Sequence, residues 1–147
     1  MIILKDIRTG NKPKILSNKT RIYEYSHIVK GARIGKNCSI AQGCYIGAKA
    51  IIGDNSRIGN YVSVWDGVVI GKDCFIAPYV VFTNDHDPSR HKEHFLVQTI
   101  IGNNTTICAN STLVAPLVIG EEVRIGAGST VLRDIKSKEE VNWLVKN

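Results

Sequence analysis

The sequence contains no apolar run approaching the roughly 18 residues that cross a bilayer, so no membrane-spanning segment is expected. Met1-Ile2-Ile3-Leu4 is far too short for a secretory signal, and the chain is expected to stay in the cytoplasm with no membrane partner. Charge is sparse at 22% against 44% apolar residues, which excludes a disordered chain and fits a soluble globular domain. The formal charge of +6 favours anionic ligands. The basic residues form no K/R-rich run and no aromatic-basic signature, so nucleic acid is not expected. Histidine is scarce too. Three of the four lie at 86, 91 and 94 in a spacing that matches no ligand signature, only His27 falls on the repeat below, and no metal is expected. The 147 residues suffice for one domain with a core that needs no disulfide.

What is present is a period of six. Apolar residues occupy Ile22, Ile28, Ile34, Ile40, Ile46, Ile52, Ile58, Val64, Ile70, Ile76 and Phe82, then, one residue out of phase, Ile101, Ile107, Leu113, Ile119, Ile125 and Val131. At 44% apolar composition an unbroken run of this kind arises by chance on the order of once in a million. Gly follows the apolar residue at 35, 47, 53, 59, 71, 102, 120 and 126, which suits a corner where a side chain would crowd or φ is unusual. Four residues after most of these apolar positions stand small or β-branched side chains, among them Ser26, Ala32, Ala50, Ser56, Val62 and Thr105. Cys38, Cys44 and Cys74 share that position and read as reduced core residues.

Six is a poor match to the 3.6-residue helical period, and the Gly and β-branched content opposes helix. Short strands joined by corners remain; such units bury their apolar face only by stacking, which makes a solenoid. Two segments break the rule. Residues 83–100 carry Pro88, three His and several charges and are expected to leave the solenoid as a loop. Residues 136–147, with Val141, Leu144 and Val145 at helical spacing, read as a short C-terminal helix capping coils that span about 16–135.

Function concentrates on loops held by rigid scaffolds. The segment FTNDHDPSRHKEH brings Asn84, Asp85, His86, Asp87 and Arg90 together; the plain alternative is a solvated polar loop. With three hexads to a coil, Trp65 and Asp66 of VSVWDGVV fall one coil beneath Thr83 and Asn84. Trp65 could wall a ring-shaped ligand or pack into a subunit interface. His86 is the general-base candidate, with Asp85 or Asp87 to orient its ring.

Units such as IGKNCS, IGDNSR and IGEEVR resemble the hexapeptide repeat of the left-handed β-helix acyltransferases, which implies a left-handed parallel β-helix of five to six coils. The stretches VSVWDGVVIGKDCFIAPYVVFTNDHDPSR and TIIGNNTTICANSTLVAPLVIGEEVRIGAGSTVLRDI are similar to acetyltransferases that N-acetylate TDP-linked 3-amino-3,6-dideoxyhexoses in bacterial surface-glycan biosynthesis. That resemblance implies a homotrimer with active sites between subunits, acetyl-CoA as co-substrate and a nucleotide sugar as acceptor. It implies that Trp65, Asp66, Asn84 and Asp85 form the acceptor site and that Ala109, Ala127 and Arg133 meet CoA; joined to the reading of the loop, the expected catalytic residues are Asn84, Asp85 and His86, with Trp65, Asp66 and Arg90 binding the acceptor. This sequence departs from the family at three places. The Arg after the FTND motif is shifted by one residue to Arg90, a His that some members carry on an early coil is Gly43, and the usual C-terminal Gly-x-Pro-Ala segment is replaced by SKEEVNWLVKN. A sugar O-acetyltransferase using His86 as base, and a non-catalytic assembly subunit, remain as alternatives.

Overall fold

A computed structural model describes residues 1–85, 89 and 97–141. Among these residues every regular element is a strand of two or three residues, and the strands stack into three sheets that form the faces of a triangular prism. Face A stacks Ile2–Ile3, Arg33–Ile34, Ile51–Ile52, Val68–Ile70, Thr99–Ile101 and Leu117–Ile119. Face B stacks Ile7–Arg8, His27–Ile28, Tyr45–Ile46, Ser63–Val64, Val81–Phe82, Thr112–Leu113 and Thr130–Val131. Face C stacks Lys14–Ile15, Arg21–Ile22, Ser39–Ile40, Arg57–Ile58, Phe75–Ile76, Thr106–Ile107, Arg124–Ile125 and Glu140–Val141. From Arg21 onward the chain visits C, B and A in turn and pairs in parallel with the coil before it, as in Arg57 opposite Phe75, three hexads further on. Five coils close fully, and a bridge from Ile119 to Ile135 closes a sixth.

The apolar series fills the axis. Ile22, Ile28, Ile34, Ile40, Ile46, Ile52 and Ile107 have no exposed surface, and a fully buried Ile contributes roughly 1.5–3 kcal/mol. Strands of two residues have almost no stability alone, so this continuous interior stack and its lateral hydrogen bonds hold the coils together.

The two readings of the repeat glycines separate cleanly. At Gly53 a Cβ would stand 2.5 Å from the carbonyl carbon of Gly71 in the next coil, so crowding excludes a side chain there. The left-handed backbone falls two residues later, on Asn37 (φ 56°), Asn55 (φ 60°), Asp73 (φ 55°) and Asn104 (φ 57°), types that tolerate it.

The small interior residues do more than fit. Thr20, Cys38, Ser56, Cys74 and Thr105 each donate to a carbonyl one coil up, those of Gly35, Gly53, Gly71, Gly102 and Gly120 respectively. Three of them also accept the backbone N–H of the residue stacked above: Cys38 on Thr20, Cys74 on Ser56 and Val123 on Thr105. The thiols are therefore weak interior donors. All four cysteines are free, and burial pushes Cys38, Cys44 and Cys74 up, Cys44 to about 11.

Three boundaries differ from expectation. The C-terminal helix is corrected over 136–141: residues 136–139 form a turn and Glu140–Val141 a strand paired in parallel with Arg124–Ile125. Ile135 and Val141 are six apart, so the apparent helical spacing at Val141 is one more hexad; residues 142–147 lie outside the described residues. The return from the excursion begins at Thr99, because Thr99, Ile100 and Ile101 pair with Val68, Val69 and Ile70. Ile51 to Val69 on the same face is a regular step of three hexads, whereas Val69 to Ile100 is five hexads and one residue. The excursion therefore inserts two hexads plus one residue, and that single extra residue is the phase slip in the apolar series. Finally, residues 2–15 lie antiparallel under the first coil, pairing Ile2 with Ile34, Ile7 with Ile28 and Lys14 with Ile22.

Candidate functional site

The excursion leaves from the corner between faces B and A. Ser63 lies opposite Val81, so the chain leaves the solenoid one coil above the corner that holds Trp65 and Asp66. Thr83 anchors the exit: its N–H donates to Leu113 O at 3.0 Å, and its Oγ1 accepts the N–H of Ala115 at 2.9 Å. Asn84 follows directly, exposed, and Asp85 is half-buried. His86 and Arg90 lie outside the described residues, as does the rest of the expected base cluster at Asp87.

Trp65 occupies a corner position that Gly47 fills one coil below. It is half-buried, packs on the core, and stands 5.1 Å from the ring of Tyr45. Tyr45 meets His27 edge-on at 5.6 Å, and His27 Nε2 lies 2.9 Å from Asp6 Oδ1. This pair holds the Asp6 carboxyl below the usual carboxylate range, chiefly through the His27 hydrogen bond. Trp65 thus tops a file of rings running down face B, which sequence reasoning missed; the three-hexad spacing of His27, Tyr45 and Ser63 was the available signal. A cavity of about 120 Å³ beside it is lined by Tyr61, Ser63, Trp65, Val80, Val81 and Phe82. Ligand pockets usually hold roughly 300–1,000 Å³, so among the described residues this hollow forms one wall of a site.

Asp66 has a structural duty. Its Oδ1 accepts the backbone N–H of Lys49 one coil down at 3.1 Å, as Asp54 does for Lys36 and Asn103 for Lys72. One carboxylate oxygen is therefore committed to the corner.

The expected CoA residues lie on the later coils. Ala109 and Ala127 stack at the corner between faces C and B, where Thr106 pairs with Arg124, and Ala109 O accepts the N–H of Gly128 at 2.9 Å. Ala109 is half-buried and Ala127 exposed, so the corner offers backbone without bulky side chains. Arg133 sits across face B, exposed, donating to Glu139 Oε1 at 2.8 Å and to Asp134 O at 3.0 Å. Glu139 holds the guanidinium above its ordinary pKa, and Arg133 in turn holds the Glu139 carboxyl down.

A side chain at the family's early-coil His position would have to displace a neighbouring ring. Gly43 has φ +70°, and a Cβ on it would meet the Tyr61 ring at 2.5 Å; Tyr61 in turn stacks on Tyr79 at 5.6 Å. Among the described residues no group of three metal-ligating side chains converges.

The site is therefore a β-helix of about six coils opened at one corner, with Trp65 at that corner, an exposed Asn84 at the exit and a bare backbone edge at Ala109 and Ala127. The family model for bacterial transferase hexapeptide repeats matches residues 10–48, 49–84 and 98–133, and the chain belongs to that family. Its solenoid is accordingly a left-handed parallel β-helix. The bifunctional protein GlmU of Gloeobacter violaceus is 38% identical over 143 residues, covering 90% of this chain and 29% of that protein. The serine acetyltransferase of Synechococcus elongatus is 33% identical over 127 residues, covering 85% of this chain and 43% of that one. The chain thus spans less than half the length of these relatives. Among solved structures, AntD, an N-acyltransferase from Bacillus cereus in complex with dTDP and 3-hydroxybutyryl-CoA, superposes with a TM-score of 0.64 at 22% identity, covering 78% of this chain and 73% of that one.

Proposed function

We propose that this protein transfers an acetyl group from acetyl-CoA to the amino group of a nucleotide-linked sugar, a TDP-linked 3-amino-3,6-dideoxyhexose, in bacterial surface-glycan assembly. The observation that supports the reading is the exit of the chain at the corner that carries Trp65 and Asp66, one coil above them, with Asn84 exposed just beyond. It sets an aromatic wall beside an exposed amide in the pattern of the WDG and FTND motifs. AntD, of the same fold, was solved with a thymidine nucleotide and an acyl-CoA, which supports both ligand classes.

In this reading Trp65 offers a face to the acceptor, Asn84 and Asp85 hold its amine, and Arg90 meets its anionic part. The corner at Ala109 and Ala127 takes the thioester arm, with Arg133 meeting CoA. Because the cavity beside Trp65 is only one wall, a second copy in a homotrimer supplies the other. A neutral amine attacks a thioester readily once positioned, so proximity is the main contribution. The C–N bond forms as the C–S bond breaks, a backbone N–H meets the oxyanion, and the departing thiolate accepts the amine's proton. No metal takes part in this scheme.

The second reading, a sugar O-acetyltransferase, rests on His86 following Asp85 directly, since a hydroxyl needs a base to remove its proton. Release of CoA thiol is measured with a TDP-3-amino sugar, a UDP-amino sugar and simple sugars. Turnover confined to the nucleotide-linked amines supports the proposal, turnover with sugar hydroxyls supports the second reading, and no release with any acceptor leaves a non-catalytic assembly subunit.

A further inference from the structure

The positive charge is not spread along the prism. Residues 1–36 hold nine Lys and Arg against two acidic residues, a net of +7, while the remaining ten basic and eleven acidic residues sum to −1. All nine of those cations are exposed. The fold gathers them at one end, because residues 2–15 form the antiparallel rung beneath the first coil.

There they form a collar. Each face carries an outward arginine: Arg33 on face A beside Ile3, Arg8 on face B beside His27, and Arg21 on face C beside Ile15. The corners add lysines, Lys5 and Lys30 at one, Lys12 at the next, Lys19 and Lys36 at the third. Asp6 offsets part of Arg8, at 3.4 Å, and Glu24 is the other carboxylate. Among the cations Ile3 and Ile15 expose 68% and 69% of their surface, more than any apolar residue within a strand of the later coils. At the third corner a cavity of about 520 Å³ opens between Lys19, Lys36, Asn18 and Asn37, wide enough for a phosphodiester headgroup.

We propose that this end of the prism docks end-on to an anionic lipid bilayer. A collar on every face and corner matches a plane and not a strand, which needs a lined groove with stacking platforms. Two copies meeting end to end would oppose +7 with +7, so self-association through this tip is disfavoured. Exposed isoleucines among cations are the composition of an interfacial anchor, which needs no spanning segment; among the described residues no helix is long and apolar enough to cross a membrane. The plain alternative is that the lysines only keep the open edge from pairing with another chain.

Co-sedimentation with vesicles tests this. The protein is expected to sediment with vesicles of roughly one part phosphatidylglycerol to three parts phosphatidylcholine, not with phosphatidylcholine alone, and to be released as salt rises to about 1 M. At roughly fivefold per basic residue near a charged surface, combined Lys12→Glu, Lys14→Glu and Lys19→Glu should weaken binding about a hundredfold or more. Ile3→Ser with Ile15→Ser should weaken it severalfold, and far-UV circular dichroism should be unchanged in both. Equal sedimentation with neutral vesicles, or unchanged binding of the triple variant, would overturn the proposal. No sedimentation at all would also overturn it and leave the collar as edge protection. Tighter binding to a single-stranded oligonucleotide, insensitive to the isoleucine changes, would assign it to nucleic acid instead.

Discussion

Ser56→Ala tests whether the interior hydroxyls hold the coils in register. Ser56 is fully buried, its Oγ donates to Gly71 O at 2.7 Å and accepts the N–H of Cys74 at 3.0 Å. Alanine removes both bonds and leaves a buried carbonyl and a buried N–H unpaired, each costing about 1–3 kcal/mol before relaxation. Partial repair by neighbouring backbone brings the expected loss to about 2–4 kcal/mol, or a melting point lower by roughly 5–15 °C for a chain of this size. Ser56→Cys keeps a donor of the kind already present at Cys38 and Cys74, whose sulfurs reach their carbonyls at 3.2 and 3.1 Å, and is expected to cost under about 1 kcal/mol. Both variants are compared with the parent by thermal unfolding at one protein concentration, since association shifts apparent stability. Val62 and Val80 occupy the matching inner position at the next corner without any donor. If alanine cost less than about 0.5 kcal/mol, or cysteine cost more than alanine, packing alone would explain the position and the hydrogen-bond account would be wrong.

Asp66→Asn retains the oxygen that caps Lys49 and should melt within about 0.5 kcal/mol of the parent, whereas Asp66→Ala should lose about 1 kcal/mol. Acceptor KM raised in both identifies a ligand role beside the cap, and KM unchanged in both identifies the cap alone. Alkylation of the native protein near pH 8, followed by mass spectrometry, should modify Cys108, which is partly exposed, long before Cys38, Cys44 and Cys74, whose thiols are buried and pushed up. Equal rates at all four would contradict the closed interior. With a proven amine acceptor, His86→Ala should lower kcat severalfold at most; a fall of orders of magnitude would show that the imidazole does more than line the loop.

The scaffold was legible because every hexad turns an apolar side chain inward and most add a small interior group four residues on, with glycine where a corner is too crowded for a Cβ, as at Gly53. Ile22 through Val131 carry that message redundantly. The ends were less legible for physical reasons. Ile2, Ile7 and Lys14 pair antiparallel, against the direction of every later coil, and a residue period carries no strand direction. Val141 satisfied helical and six-residue spacing equally, and only pairing to Ile125 decides between them. At the site, placing the exit of the chain one coil above Trp65 needed only coil arithmetic. The file from Trp65 through Tyr45 and His27 to Asp6 was hidden because its members come from the coils and from the reversed first rung. Asp66 looked like a ligand contact because a corner cap and a binding carboxylate have the same sequence signature.

The most direct test of the proposed activity is the bond formed. The protein is incubated with acetyl-CoA labelled with carbon-13 in the acetyl carbonyl and with a TDP-3-amino-3,6-dideoxyhexose, and the sugar product is read by NMR. An amide carbonyl on the C3 nitrogen, lost in Asn84→Ala, is the expected result. An ester carbonyl on a sugar oxygen, or no labelled sugar while the chain remains folded, would contradict amine acetylation at this corner.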